Sequence, residues 1–235
     1  MLLAFSVAAF GQSKLPPISI SHLTGDVYVH TSYGLLDDGS AYPANGLFIV
    51  TGKGIILIDT PWGEIPTEQL LDSLNKRYGK PVLYCISTHF HDDRTGGVDV
   101  LKKHGIKTYS SKLTRELAKQ KGQKQPEFAF TNDTTFKAGN FTVQTYYPGP
   151  GHTKDNIVVW LPSANVLFGG CFVKSLESKD IGNLSDADVA AWPQSIENVE
   201  SKFKNVKYVI PGHLSWKGDT LMLRHTLEMA KKSKG

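Results

Sequence analysis

The same rhythm runs twice along this 235-residue chain: strand-like segments, a helix, a further strand, then more helical sequence. "DVYVHTSYG" and "GLFIVTGKGIILIDTP" read as strands from their alternation and their β-branched residues, and "TGKG" has the glycine-bearing chemistry of a hairpin turn. "TEQLLDSLNKRYG" sets Leu70, Leu71 and Leu74 on one helical face, with Thr67 as the expected N-cap and Gly79 as the stop. "PVLYCIST" reads as a buried strand, and "GGVDVLKKHG" and "SSKLTRELAKQKG" as further helices. The second round opens with "TFKAGNFTVQTYYPGPGH", two strands broken at an Ala-Gly-Asn turn, followed by the hairpin "NIVVWLPSANVLFGGC". It continues with a helix through "DVAAWPQSIENVESKF" that tolerates Pro193 only near its first turn, the strand "VKYVIPGH" and the closing amphipathic helix "DTLMLRHTLEMAKKSK". This alternation specifies an α/β fold of two βα halves, with the sheets sandwiched between outer helices.

The length suffices for one substantial core, so residues 12–235 are expected to form a single domain. A hydrophobic share of 40% with 20% charged residues excludes disordered and fibrous classes. The net charge of +4 is not gathered on one element; the densest basic run is the C-terminal "KKSKG". Small anionic molecules are therefore favoured slightly as partners, and nucleic acid is not expected. "MLLAFSVAAFGQSK" joins an apolar run to the small residues Ala9 and Gly11, which reads as a secretory leader over residues 1–11 without its charged start. The run is too short to span a bilayer, so the expectation is an exported, soluble, periplasmic protein. Two cysteines in an exported chain invite a disulfide, but Cys85 lies in a buried strand and Cys171 at a strand end, contexts that argue against pairing.

Residue types that bind metal recur at four strand ends: His89, His91 and Asp93 in "STHFHDDRTGG", His152 in "GPGHTKDN", Cys171 in "GGCF" and His213 in "IPGHLSW". Turns need neither His nor Cys to form, and imidazole with thiolate is the donor set that zinc prefers. Six donors exceed one tetrahedral ion that keeps a water, and they suit two. In an extended segment His89 and His91 point the same way, and Asp93 continues that alternation toward a neighbouring ion. One set is then His89, His91 and His152, the other Asp93, Cys171 and His213, each with a position open for water. Such a pair implies hydrolysis of an acyl bond without a protein nucleophile, and no G-x-S-x-G elbow is present.

These motifs, from "GLFIVTGKGIILIDTPW" through "STHFHDDRTGG", "PGPGHTKDN", "FGGCFVK" and "GN" to "IPGH", resemble the metallo-β-lactamase fold, and specifically the first subclass of the class B β-lactamases. The resemblance implies an αβ/βα four-layer sandwich and two Zn²⁺ per chain. The wider hydrolase pattern has a further His after the motif Asp and an Asp as bridging ligand. Arg94 and Cys171 stand there instead, as they do in the β-lactamases and not in thioesterase-like relatives. Carried over position by position, His89, His91 and His152 correspond to the first ion's ligands and Asp93, Cys171 and His213 to the second's. Lys174 matches the cation that receives the substrate carboxylate. Asn183 matches the amide donor to the developing oxyanion, and Asp93 stands beside the water that protonates the leaving nitrogen. Asp59 is expected to fix a ligand histidine or nearby backbone from behind, and Arg94 to orient the cysteine side or the Asp93 loop. The implied activity is hydrolysis of penicillins, cephalosporins and carbapenems by a monomer acting on small molecules. The rival readings are a thioester or lactone hydrolase on the same fold and a zinc-binding protein without catalysis.

Asp92 falls out of phase with the donors and is expected to face away, and His30, His104 and His225 are not expected to bind metal. Trp62 is expected either to wall the substrate site or to fill the core. "LLDDGSAYPANG" reads as a polar connection forming a flap, with Leu35 and Leu36 as its apolar contacts.

Overall fold

Segments apolar on both faces cannot meet water on either side, and they decide the layering of this chain. The structure, a computed structural model, describes residues 15–131 and 133–233, so the expected leader over 1–11 lies outside the described residues. A seven-stranded sheet runs in the order β1 (Ser19–Thr24), β2 (Val27–Leu35), β3 (Ala41–Val50), β4 (Ile55–Ile58), β5 (Val82–Ile86), β6 (Lys107–Ser111) and β7 (Phe128–Phe130). Its first four strands pair antiparallel and the rest parallel. A five-stranded sheet runs β12 (Tyr208–Pro211), β11 (Val166–Gly170), β10 (Val158–Leu161), β9 (Phe141–Tyr146) and β8 (Thr135–Ala138), with only β11 and β12 parallel.

The period of two along each central strand sorts its side chains between two cores. In β4, Ile56 and Ile58 point into the space between the sheets, where they meet Val159, Leu161, Phe168 and Ile210. Their neighbours Ile55 and Leu57 point outward against Leu70, Leu71 and Leu74 of helix α1 (Glu64–Tyr78) and Val100 and Leu101 of α3 (Val98–Lys103). On the second sheet, Val158 and Leu167 pack outward against Ile196 and Val199 of α5 (Trp192–Lys202) and Met222 and Leu223 of α6 (Leu221–Lys232). The layers are therefore helix, sheet, sheet, helix. The remaining helices are the short α2 (Asp92–Thr95) and α4 (Lys112–Gln120), the latter capped by Ser111, whose Oγ accepts the Thr114 N–H at 3.0 Å.

Several expectations are corrected. Helix α1 begins at Glu64, so Thr67 is not its N-cap; Gly63 holds that position, and the buried Thr67 hydroxyl donates to the Gly63 carbonyl at 2.7 Å from inside the first turn. Pro66 and the acidic Glu64 suit a first turn one step earlier than the leucine pattern shows. Most of "LLDDGSAYPANG" is strand: Leu35 pairs with Ala41, leaving a connection over residues 36–40. Strands β1, β6 and β7 were not legible as strands. Cys85 and Cys171 are buried, unpaired thiols, and Pro193 lies in the first turn of α5.

Phe168 is wholly buried between the sheets. Phe168→Ala is expected to lower the stability of the metal-free chain by about 3–5 kcal/mol in urea unfolding with an unchanged m-value, and a loss below about 1 kcal/mol would contradict this placement.

Candidate metal centre

Every candidate donor sits just past the end of a strand on the same rim of the sandwich. His89 and His91 follow β5, His152 lies in the connection from β9 to β10, Cys171 follows β11, and His213 follows β12. Glycine lets the last two meet: a Cβ on Gly212 would lie 2.5 Å from the Cys171 backbone nitrogen and 2.7 Å from its Sγ. The route to Asp93 differs from the expected extended alternation. His91 is the extended N-cap of α2 and Asp93 lies inside that helical turn, so it returns to His89 at i,i+4 spacing, Oδ1 to Nε2 3.9 Å.

The side chains converge. Cys171 Sγ lies 3.2 Å from Asp93 Oδ2 and 3.1 Å from His213 Nε2, and His213 Nε2 lies 3.1 Å from Asp93 Oδ2. The ring of His89 is 4.8 Å from that of His91 and 4.8 Å from that of His152, and His91 is 5.1 Å from His152. Donor atoms gather within 4.8 Å of one another in three groups: Asp93, Cys171 and His213; His89, His91 and Asp93; and His89, His152 and Cys171. The last two draw on both sets expected from the sequence, so the donors form one continuous cluster.

Arg94, directly after Asp93, is wholly buried beneath the cluster rather than on the surface. Its Nη2 reaches Asp93 Oδ2 at 2.9 Å, Cys171 Sγ at 3.0 Å and the Gly212 carbonyl at 2.8 Å, while Nη1 donates to the Asn45 carbonyl at 2.5 Å. Asp59, at φ 61° in the left-handed region that Asp tolerates, accepts from Thr88 N–H at 2.7 Å and Thr88 Oγ1 at 2.8 Å, and lies 3.5 Å from Arg94 Nη1. It thereby fixes the backbone just before His89.

Charge states follow from burial. Burial holds His89 and His152 well below the usual imidazole range and also lowers His213, so these rings stay neutral, the form that binds metal. Burial pushes the Cys171 thiol up, with Arg94 opposing. For Asp93 burial acts upward, but the Arg94 guanidinium prevails and leaves it well below the usual carboxylate range. Burial raises Asp59 to about 7 against the pull of Arg94. Neutral imidazoles, one carboxylate and one thiol suit a borderline-soft divalent ion, so the donor set fits zinc.

Lys174 is buried beside the cluster, with Nζ 5.3 Å from the centre of the Trp192 ring, and lines a cavity of about 250 Å³ with Tyr42, Gly182 and His213. Asn183 is not drawn into the cluster: it is exposed, and its Oδ1 accepts the Ser185 N–H at 2.9 Å. Trp62 stands between the two readings made of it, partly buried with its ring edge-on to His213 at 6.1 Å, and its Nε1 donates to Asp92 at 3.0 Å. Asp92 thus faces the tryptophan rather than the donors. His30 is buried in β2, His104 pairs with Glu68 at 2.9 Å, and His225 bonds the Ser178 carbonyl at 3.0 Å. Sequence reasoning missed Asp186, whose Oδ2 lies 3.1 Å from His91 Nε2 and whose Oδ1 lies 2.7 Å from Lys121 Nζ. It also missed Asn45, whose side chain donates to the carbonyls of Pro211 at 3.2 Å and Leu214 at 3.0 Å. No spacing in the chain signals either contact, since the partners lie 95, 166 and 169 residues apart.

Comparison with known proteins identifies the family. The family model described as "Metallo-beta-lactamase superfamily" matches residues 39–213. A protein named metallo-beta-lactamase type 2 from Elizabethkingia meningoseptica is 44% identical over 221 residues, covering 94% of this chain and 88% of its own length. One of the same name from Bacillus cereus is 48% identical over 214 residues, covering 91% and 83%. Among solved structures, a metallo-beta-lactamase from Pontibacter korlensis superposes with a TM-score of 0.88 at 40% identity, covering 91% of this chain and 99% of that one. With its family's model matched over most of its length and curated relatives at this identity, the chain belongs to the metallo-β-lactamase superfamily.

Proposed function

We propose that this chain is a β-lactamase that hydrolyses the ring amide of penicillins, cephalosporins and carbapenems with two zinc ions. His89, His91 and His152 would hold one ion and Asp93, Cys171 and His213 the other. The observation that carries this reading is the meeting of Cys171 with Asp93 and His213 above Arg94. The names of the relatives supply the substrate class. When bound, the ions supply hydroxide near neutral pH and polarise the scissile carbonyl.

The chain's own residues do the rest. Lys174, at the wall of the adjoining cavity, is placed to receive the carboxylate of the bicyclic substrate as a point charge. The Asn183 Oδ1 is engaged by Ser185, which leaves the amide N–H bonds as the end that donates to the developing oxyanion. Asp93, kept ionised by Arg94, accepts a hydrogen bond from the water that returns a proton to the departing ring nitrogen. Trp62 with the exposed Leu35 and Leu36 offers an apolar cover over the substrate. Asp59 and Arg94 hold the donors from beneath. The protein would act as a monomer, and in the periplasm, a location that the apolar N-terminal sequence supports; no helix among the described residues is long and apolar enough to cross a membrane.

Zinc-loaded protein is expected to cleave nitrocefin and a carbapenem in preference to S-lactoylglutathione and acyl-homoserine lactones, and EDTA to abolish turnover. Zinc uptake without β-lactam cleavage would refute the assignment. Cys171→Ser is expected to weaken the second ion by at least about 10–100-fold in chelator competition while sparing the first.

Metal affinity should also divide by pH. The Cys171 thiol, pushed up by burial, must lose its proton on coordination, whereas His89 and His152 are already neutral. Affinity at the cysteine-bearing set is therefore expected to rise about tenfold per pH unit through neutrality, with release of about one proton. Calorimetry in buffers of different ionisation heat measures the proton count.

A further inference from the structure

The cavity beside the metal cluster carries more charge than the Lys174 ammonium. Lys174 is only 9% exposed, and apart from the Trp192 ring face its Nζ has no hydrogen-bond or ion-pair partner among the described residues, so a buried cation faces the cavity ready for an anion. Three charged side chains stand farther along the same wall, the exposed Glu177, Lys179 and Asp180. The loop that carries them is pinned. Ser175 Oγ donates to the Ser215 carbonyl at 2.8 Å, Glu177 Oε2 accepts the Ser215 N–H at 3.2 Å, and Asp180 Oδ1 accepts the Gly182 N–H at 2.9 Å. Each carboxylate keeps its other oxygen outside these bonds, and neither forms an ion pair among the described residues.

Across the cavity stands Tyr42, partly buried, its ring tilted 5.0 Å from that of His213. Burial lowers the pKa of Lys174 and raises that of Tyr42, and Asp180 acts on both, so its charge reaches the two side chains that frame the space. Burial keeps His213 neutral. Once a substrate carboxylate has taken Lys174, the charges left on the wall are +1 from Lys179 and −1 each from Glu177 and Asp180, a sum of −1. In cephalosporins and carbapenems the ring carbon that bears the carboxylate is bonded to the carbon that bears the variable side group. A carboxylate on Lys174 therefore brings that group to a wall of net negative charge opposite an aromatic face, and both favour a cation.

We propose, resting on the β-lactamase reading, that Glu177 and Asp180 with Tyr42 select β-lactams whose side group next to the ring carboxylate is cationic, and disfavour those in which it is anionic. The substrate class is thereby narrowed by residues of this chain that lie outside the metal cluster.

Cefepime, cefotaxime and ceftriaxone test this, because they share one acyl side chain and differ in the group beside the carboxylate-bearing carbon, which is cationic, neutral and anionic respectively. The measurement is kcat/KM for each on the zinc-loaded full-length chain and on two variants. The three compounds differ in intrinsic reactivity, so the readout is the change in the cefepime-to-ceftriaxone ratio between chain and variant, in which reactivity, folded fraction and zinc occupancy cancel. Glu177→Gln with Asp180→Asn keeps the acceptors to Ser215 and Gly182 and removes both charges. It is expected to lower the ratio about tenfold, chiefly through KM, the scale of two exposed charges acting on substrates of opposite sign. Lys179→Gln is expected to raise the ratio about threefold, a change of opposite sign that loosened loop packing would not give. Cefotaxime should fall between the other two. A ratio unchanged in both variants, or moved the same way by both, overturns the selectivity while turnover of all three leaves the β-lactamase reading standing. Turnover of none removes that reading and the selectivity with it.

Discussion

The arrangement of the rim depends on one buried cation. The Arg94 guanidinium has no exposure, and an isolated charge in such a place would be prohibitive without compensation. Compensation comes from both sheets: the Asn45 carbonyl from β3, Asp59 past β4, Asp93 in α2, Cys171 past β11 and the Gly212 carbonyl past β12. Each partner makes the charge tolerable, and the fixed fork of the guanidinium in turn dictates where each partner stands. Asn45 reinforces the junction: its backbone N–H donates to the Gly212 carbonyl at 2.8 Å and its side chain to Pro211 and Leu214. The two halves of the sandwich are thus joined at the rim by polar contacts and beneath it by the apolar layer around Phe168 and Ile58.

Much of this was legible in the chain because it rests on local periodicity. The alternation of Ile55, Ile56, Leu57 and Ile58 between two cores is a direct reading of the strand period, and it yields four layers once helices flank both sheets. The donors were legible for a different reason: they follow strands, and strand ends gather on a rim. Asp93 shows the limit of that logic. It lies within the cluster of candidate donors, but a four-residue helical turn, too short to leave a periodic trace, carries it there.

What was not legible depends on contacts between distant segments. Asp186 touches His91 only because the segment before α5 folds back over the rim, where Lys121 at the end of α4 meets its other oxygen. Arg94 was expected at the cysteine side or the Asp93 loop and touches both, but its further contacts to Asn45 and Gly212 appear only once β3 and β12 are brought over it. Strand β6 is short and polar and β7 only three residues long, and they acquire their identity from pairing with β5 and with each other. Thr67 carries a capping side chain yet is buried inside the helix, because packing against the sheet, not the local signal, sets where α1 begins.

The topology also makes the rim depend on the C-terminal part of the chain. His213 follows β12, which joins the edge of the second sheet in parallel to β11 only after α5 has crossed between them. A chain cut after Cys171 carries His89, His91, Asp93, His152 and Cys171 yet lacks the strand that closes the rim. Under the proposed metal assignment, fragments ending before that strand gain no full share of the stabilisation that a bound ion confers.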